Sequence, residues 1–144
     1  MIYNAGVALG RAFEPGCTVF DSNARLRVME TDLYTYPDVA LVCGRPERDP
    51  RDRLAMTNPY VIVEVLSPST AAYDRGPKFG HYRRIPSLKH YVLVDPDART
   101  VEVFTRNPDA TWTVEYAEKD GTFGLLGQRL PAGPLWTGLD LLGG

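Results

Sequence analysis

The sequence predicts an α/β fold: a mixed β-sheet flanked by helices. Three observations predict it. The runs "PYVIVEVLS" (59–67) and "KHYVLVDPD" (89–97) are almost continuously apolar, the composition of strands covered on both faces. Between them, "SPSTAAYDRGPKFGHYRRIPSL" (67–88) opens with turn chemistry and continues as a helix. Beyond them, "TVEVFTRN" (100–107) and "TWTVEYAEKD" (111–120) alternate apolar with polar residues around the turn "PDA", which reads as a hairpin. An order of helix, strands, helix, strands gives α/β with a mixed sheet.

The elements follow in order. Ile2 to Phe13 carries apolar residues at 2, 3, 7, 9 and 13, an approximate helical face, and "EPG" stops it. "CTVFDSNARLRVME" (17–30) alternates weakly, with Val19, Leu26 and Val28 as its inward set. "YPDVALVCG" (36–44) is a β-branched and apolar strand closed by Gly44. Residues 45–57, "RPERDPRDRLAMT", are charged and contain proline, as a surface loop does. In the helical segment, Gly76-Pro77 weakens the middle, so the helix proper starts near Pro77, and Pro86 stops it. "DGTF" (120–123) marks another tight turn. The tail "LPAGPLWTGLDLLGG" (130–144) is irregular and apolar, suited to packing back on the core.

A length of 144 residues predicts one domain over 1–144, able to bury about 70% of its unfolded surface without disulfides or a structural metal. The net charge of −2 excludes coating nucleic acid by bulk charge but leaves room for one basic face. Cys17 and Cys43 lie far apart in no CxxC or Cys/His cluster and read as reduced, buried, small apolar residues. No apolar run approaches the ~20 residues of a membrane span. The first residues lack a basic n-region and are interrupted by Arg11, so no signal peptide and a cytoplasmic location are expected. His81 and His90 have no metal-ligand spacing, and there is no Gly-rich phosphate loop. Ser67 and Ser69 read as turn and capping hydroxyls, and Trp112 and Trp136 as core or hairpin residues.

Glu64 is the anomaly, a carboxylate in the middle of the first buried run. Asp38 repeats it at the head of "VALVCG". A lone ionised carboxylate in a dry interior is costly and takes up a proton instead, and two together are worse unless a cation lies between them. Opposed carboxylates on neighbouring strands make a hard oxygen site of the kind magnesium or manganese occupies. Two other readings stand beside this one: Glu64 pairs with a buried arginine, or its strand is an edge that turns it to water.

The ordered series "YPDVALVCG" and "NPYVIVEVLSPSTAAYDRGPKFGHYRRIPSLKHYVLVDPD" resembles the bacterial putative restriction endonuclease family of the PD-(D/E)XK nuclease superfamily, from about residue 18 to the C-terminus. The resemblance implies a restriction-endonuclease-like mixed sheet with flanking helices and a C-terminal hairpin region. It also implies a divalent metal (Mg²⁺ or Mn²⁺), DNA as substrate and a homodimer. By position, Asp38 and Glu64 would be metal ligands, with the Val65 carbonyl as a possible third. Leu66 stands where the common superfamily pattern has a lysine. The resembling family takes its lysine from the following helix, where Lys78 stands, and a flexible four-carbon stem can reach a strand-borne site from there.

If the helix runs through this region, Asp74 and Tyr82 lie four residues before and after Lys78 and share its face. The plainer reading of that trio is a solvated Asp–Lys pair beside a core tyrosine. Asp38, Glu64 and Lys78 would form the catalytic set. Arg75, Arg83 and Arg84, with His81 and Lys89 nearby, would supply positive charge for a DNA backbone. Related chains carry a further helix and strand, with an acidic residue, ahead of the segment matching Ile2–Phe13. The expectation is therefore either a truncated sequence start or a shortened member, with a less complete site for which neither Glu14 nor Glu30 is placed to substitute. The alternative function is an inactive nuclease-fold module for DNA binding or subunit association; a plain structural α/β domain is a third reading.

Overall fold

The structure is a computed structural model, and it describes residues 1–139. Helix α1 spans Ile2–Phe13 and turns Ala5 and Leu9 inward. Strands β1 (Cys17–Phe20), β4 (Val39–Cys43), β7 (Val61–Val65), β8 (His90–Asp95), β9 (Thr100–Arg106) and β10 (Trp112–Ala117) form a six-stranded sheet in the order β1-β4-β7-β8-β9-β10. Only β7 and β8 run parallel; the other neighbours are antiparallel. A parallel pair needs a crossover, and here it is helical. Helix α2 (Ala71–Arg75) and helix α3 (Pro77–Tyr82) lie between those two strands. A smaller sheet holds β3 (Leu33–Thr35), β2 (Arg25–Val28), β6 (Asp52–Met56) and β5 (Arg48–Asp49), in that order. The hairpin β11 (Thr122–Leu125) with β12 (Gln128–Pro131) and a 3-10 turn at Gly133–Trp136 complete the described chain.

Alternation along the central strands splits the core in two. Val39, Leu41, Val61, Val63, Val92 and Val94 face one side, where α1, the β11–β12 hairpin and the 3-10 turn cover them. Ala40, Val42, Ile62, Tyr91 and Leu93 face the other, beneath Leu26, Val28, Met56, Tyr82, Ile85 and Leu88. This is why the strands read as continuous apolar runs: both faces are dry. A side chain such as Leu41, fully buried, contributes roughly 1.5–3 kcal/mol relative to exposure.

The α/β mixed-sheet expectation holds, with three local corrections. Residues 17–30 form two strands in different sheets, parted by a turn in which Ala24 N–H donates to Asp21 O at 3.1 Å. Val19 is only partly buried, while Leu26 and Val28 are fully so. Residues 45–57, read as a loop, contain β5 and β6. Their charge and proline belong to a sheet edge, where such residues discourage further pairing. As expected, the helix proper starts at Pro77, after a break at Gly76 (φ −113°, ψ −92°) that parts it from the short α2.

Cys17 and Cys43, expected to be reduced, form a disulfide. They are register partners across β1 and β4. Gly44 N–H donates to Gly16 O beside them at 3.1 Å, which makes them a non-hydrogen-bonded pair, the kind whose side chains lie closest. Twenty-six positions of sequence separation gave no sign of that register.

The tail packs back as expected as far as it is described. Leu135 and Trp136 are buried, and Trp136 Nε1 donates to Lys119 O at 2.8 Å. Positions 140–144 lie outside the described residues. No described helix is long and apolar enough to cross a membrane.

Candidate active site

Glu64 occupies the fourth position of β7 and is 3% exposed. The β4–β7 ladder pairs Val39 with Val63, so one step further in the same register sets Asp38 opposite Glu64, just beyond the end of β4. Asp38 is half-buried, and its Oδ2 accepts the Val65 N–H at 2.7 Å. Because N–H and C=O of one strand residue leave from the same edge, the Val65 carbonyl is directed toward the Asp38 side as well.

The helical crossover brings the compensating cation. Lys78 Nζ lies 3.2 Å from Glu64 Oε2 and 3.7 Å from Asp74 Oδ1. The break at Gly76 therefore leaves the four-residue spacing of Asp74 and Lys78 intact as a contact. Asp74 is 3% exposed, so the pair is interior and not the solvated one the plainer reading proposed. The Lys78 ammonium also lies 5.8 Å from the Tyr82 ring centroid and 5.9 Å from that of Tyr73, within cation–π range. The Tyr82 hydroxyl donates to Glu64 Oε1 at 3.3 Å and meets Thr35 Oγ1 at the same distance. With the phenol proton given to Glu64, the Thr35 hydroxyl donates to Tyr82.

Burial is the largest influence on Glu64 and pushes its carboxyl up to about 7. Lys78 pulls it back without offsetting the burial, and the charges of Asp38 and Asp74 push it further up. Burial likewise raises Tyr82 well above the usual phenol value, so it remains a hydrogen-bond donor. Glu64 and Asp74 thus meet one ammonium while Asp38 stands opposite Glu64, which leaves the cluster short of positive charge.

The donor chemistry fits a hard divalent ion that takes one or two protein carboxylates and completes its shell with water. The fit is sparse: among the described residues no group of three or more His, Cys, Asp or Glu is arranged to hold a metal. Two grooves of about 510 and 470 Å³ flank α1, and Glu64, Asp74 and Lys78 line neither of them.

The sequence-derived arginines are largely committed elsewhere. Arg75 reaches Glu102 by two hydrogen bonds of 3.2 and 3.3 Å, and Arg84 pairs with Glu30 at 2.9 Å. Arg83 is exposed after α3. His81 Nδ1 meets Thr31 Oγ1 at 2.9 Å. Thr35, the outer end of the hydroxyl relay to Glu64, escaped sequence reasoning because a threonine between two recognisable segments carries no signal of what it will face. The serines of "SPST" bond one another and Thr70 within the turn after β7, as expected. Trp112 packs edge-on to Phe79.

Comparison with known proteins bears on the fold and the family. A structure of a putative nuclease from Anabaena variabilis superposes with a TM-score of 0.74 at 18% identity, covering 94% of this chain and 78% of that one, which shows a shared nuclease-like fold. Two uncharacterized Synechocystis proteins, sll1609 and slr1290, are each 40% identical, over 94 and 101 residues. The matches cover 65% and 68% of this chain, and 53% and 50% of those relatives. The chain thus spans about half the length of the curated relatives it matches. The model of the Uma2 family, described as putative restriction endonuclease, matches residues 4–133. The chain therefore belongs to the Uma2 putative restriction endonuclease family.

Proposed function

We propose that this protein is a divalent-metal-dependent endonuclease that hydrolyses phosphodiester bonds in DNA, with Asp38, Glu64 and Lys78 as its catalytic residues. The observation that carries the reading is the placement of the Lys78 ammonium 3.2 Å from a buried Glu64 whose proton affinity is raised. Asp38 and Glu64, with the Val65 carbonyl as a third donor, would hold Mg²⁺ or Mn²⁺. Such an ion, when bound, lowers the pKa of a water and polarises the scissile phosphate. Lys78 orients the attacking water and offers positive charge to the phosphoryl oxygens as charge builds there. Tyr82 and Asp74 hold the two ends of that arrangement: the phenol fixes one Glu64 oxygen, and the Asp74 carboxylate keeps Lys78 at the strand. A homodimer belongs to the same reading, since cutting both strands of a duplex calls for two centres.

The test is cleavage of plasmid DNA with Mg²⁺ or Mn²⁺, alongside thermal unfolding with and without the ion. Asp38→Ala and Glu64→Ala should abolish cleavage and remove the metal-induced rise in midpoint that binding to the native state alone produces. Lys78→Ala should slow cleavage by about 10²–10³-fold while keeping that rise. No cleavage and no rise in wild type would sink the reading. The sparse ligand set favours one second reading, an inactive nuclease-fold module that binds DNA. That outcome would appear as DNA binding indifferent to the ion.

A further inference from the structure

We propose that the β5–β6 hairpin is a phosphate-contacting arm that holds the backbone of duplex DNA beside the Glu64 site; the inference rests on the nuclease reading and adds where the substrate is gripped. Arg45, Arg48, Arg51 and Arg53 fall within this hairpin and its approach, and all four are exposed. None has a carboxylate at ion-pair distance among the described residues. Several arginines elsewhere differ, although Arg11 and Arg83 also lack an ion pair among the described residues. Arg75, Arg84 and Arg129 each face a glutamate, and Arg106 is spent on the carbonyls of Arg83, Ile85 and Pro86.

The hairpin has carboxylates of its own, but the sheet has already used them. Asp49 is fully buried and accepts from Arg27 Nη1 at 3.2 Å and from the Tyr34 hydroxyl at 2.9 Å. Asp52 is bound by Arg25. Both arginines come from β2, so the hairpin's four cations are opposed locally by Glu47 alone. In a protein of net charge −2 this is positive charge of local origin.

The arm is also held in place. Its base is tied by Glu47 N–H to Asn58 Oδ1 at 2.8 Å and Thr57 N–H to Glu47 O at 3.0 Å. Asp49 Oδ1 accepts the Arg51 N–H across the turn at 3.1 Å. At the opposite edge of the same sheet, Thr35 of β3 touches Tyr82 and thereby Glu64. With the order β3-β2-β6-β5, the hairpin stands three strand spacings, roughly 15 Å, from that contact. A duplex carries one charge per about 1.7 Å of its axis, so one that reaches Glu64 offers several phosphates to the arm. Guanidinium forks match phosphate oxygens, whereas bases carry no such charge.

The test uses the full chain with a short random-sequence duplex in EDTA, followed by fluorescence anisotropy as salt rises from about 50 to 200 mM. The proteins are wild type, R45Q/R48Q/R51Q/R53Q and the corresponding four-lysine variant. If each arginine meets one phosphate, wild type should lose about 150-fold more affinity over that salt range than the glutamine variant, and the lysine variant should keep most of the slope. An unchanged slope overturns the proposal. So does a glutamine variant that self-associates while binding DNA like wild type, because the arginines then only guard a sheet edge. Should the fourfold variant fail to fold, R51Q alone should cut the loss over the same range by about 3.5-fold, and no cut overturns the proposal equally. Cleavage assays separate the two readings: a salt slope that depends on the arginines without any cleavage retains the arm and removes the nuclease, and cleavage with an unchanged slope does the reverse.

Discussion

The two faces of the six-stranded sheet are built from the same strands and do opposite things. Toward α1, the odd-numbered residues of β4 and β7 join one apolar cluster that extends to Leu135 and Trp136. Toward α3, the even-numbered residues begin the same way with Ala40 and Ile62, then give way at one end to Glu64, Asp74, Lys78 and Tyr82. The difference teaches how a small sheet carries a charged site. One face supplies the packing that stabilises, and the other can then tolerate a carboxylate that burial disfavours, because its neighbours hydrogen-bond and partly neutralise it.

The largest effect on stability should come from emptying the apolar face. Leu41→Ala should cost about 2–5 kcal/mol in denaturant unfolding. The Glu64 titration should stay in place; a shift of it would mean that the faces are not separable. Reducing the Cys17–Cys43 disulfide, whose sulfurs border that same face, opens a loop of 26 residues and should cost about 3 kcal/mol on the loop-entropy estimate. A dithiothreitol titration of the unfolding midpoint checks it.

The polar face should reveal itself through pH, with a sign opposite to that of the apolar face. Glu64 binds its proton more tightly folded than unfolded. The stability that Glu64 contributes to the metal-free protein is therefore fully present below about 4.5 and is lost as pH rises to about 7, by about 3 kcal/mol at most. Glu64→Gln should abolish that fall, while Mg²⁺ should stabilise wild type increasingly over the same window.

His90, by contrast, is held neutral. Its Nε2 accepts the Leu126 N–H at 2.9 Å and its Nδ1 meets Thr105, and burial lowers it to about 4. It titrates below its unfolded value, so the stability it contributes is present above about 6.5 and lost as pH falls toward 4. His90→Gln should flatten that acid limb. A single pH dependence surviving both substitutions would refute the assignment of two opposed groups.

Much of this was legible in advance for physical reasons. Strands 61–65 and 90–95 announced themselves because burial on both faces forces unbroken apolarity, and Glu64 stood out only against that background. Asp38 and Lys78 could be placed through the resemblance, not through spacing, since no local rule says which strand a distant aspartate will face. The β5–β6 hairpin was hidden because its strands pair largely through charged residues at an edge, where periodicity has no core to report. Buried Arg27 was hidden for a related reason: its burial depends on Asp49 and Tyr34, which only the folded sheet brings to it.

The cover over α1 has a consequence for how the chain is made. Asn4 Nδ2 donates to Leu135 O and Thr137 O at 3.0 and 2.9 Å, so the helix is latched by residues that leave the ribosome 131 and 133 positions later. At translation speeds of about 5–20 residues per second, that flank of the helix stays open for on the order of 10 s. The chain must therefore be made through Thr137 before the apolar half of the molecule can close, and through that interval the nascent chain displays Ala5 and Leu9 to whatever else the cell brings near.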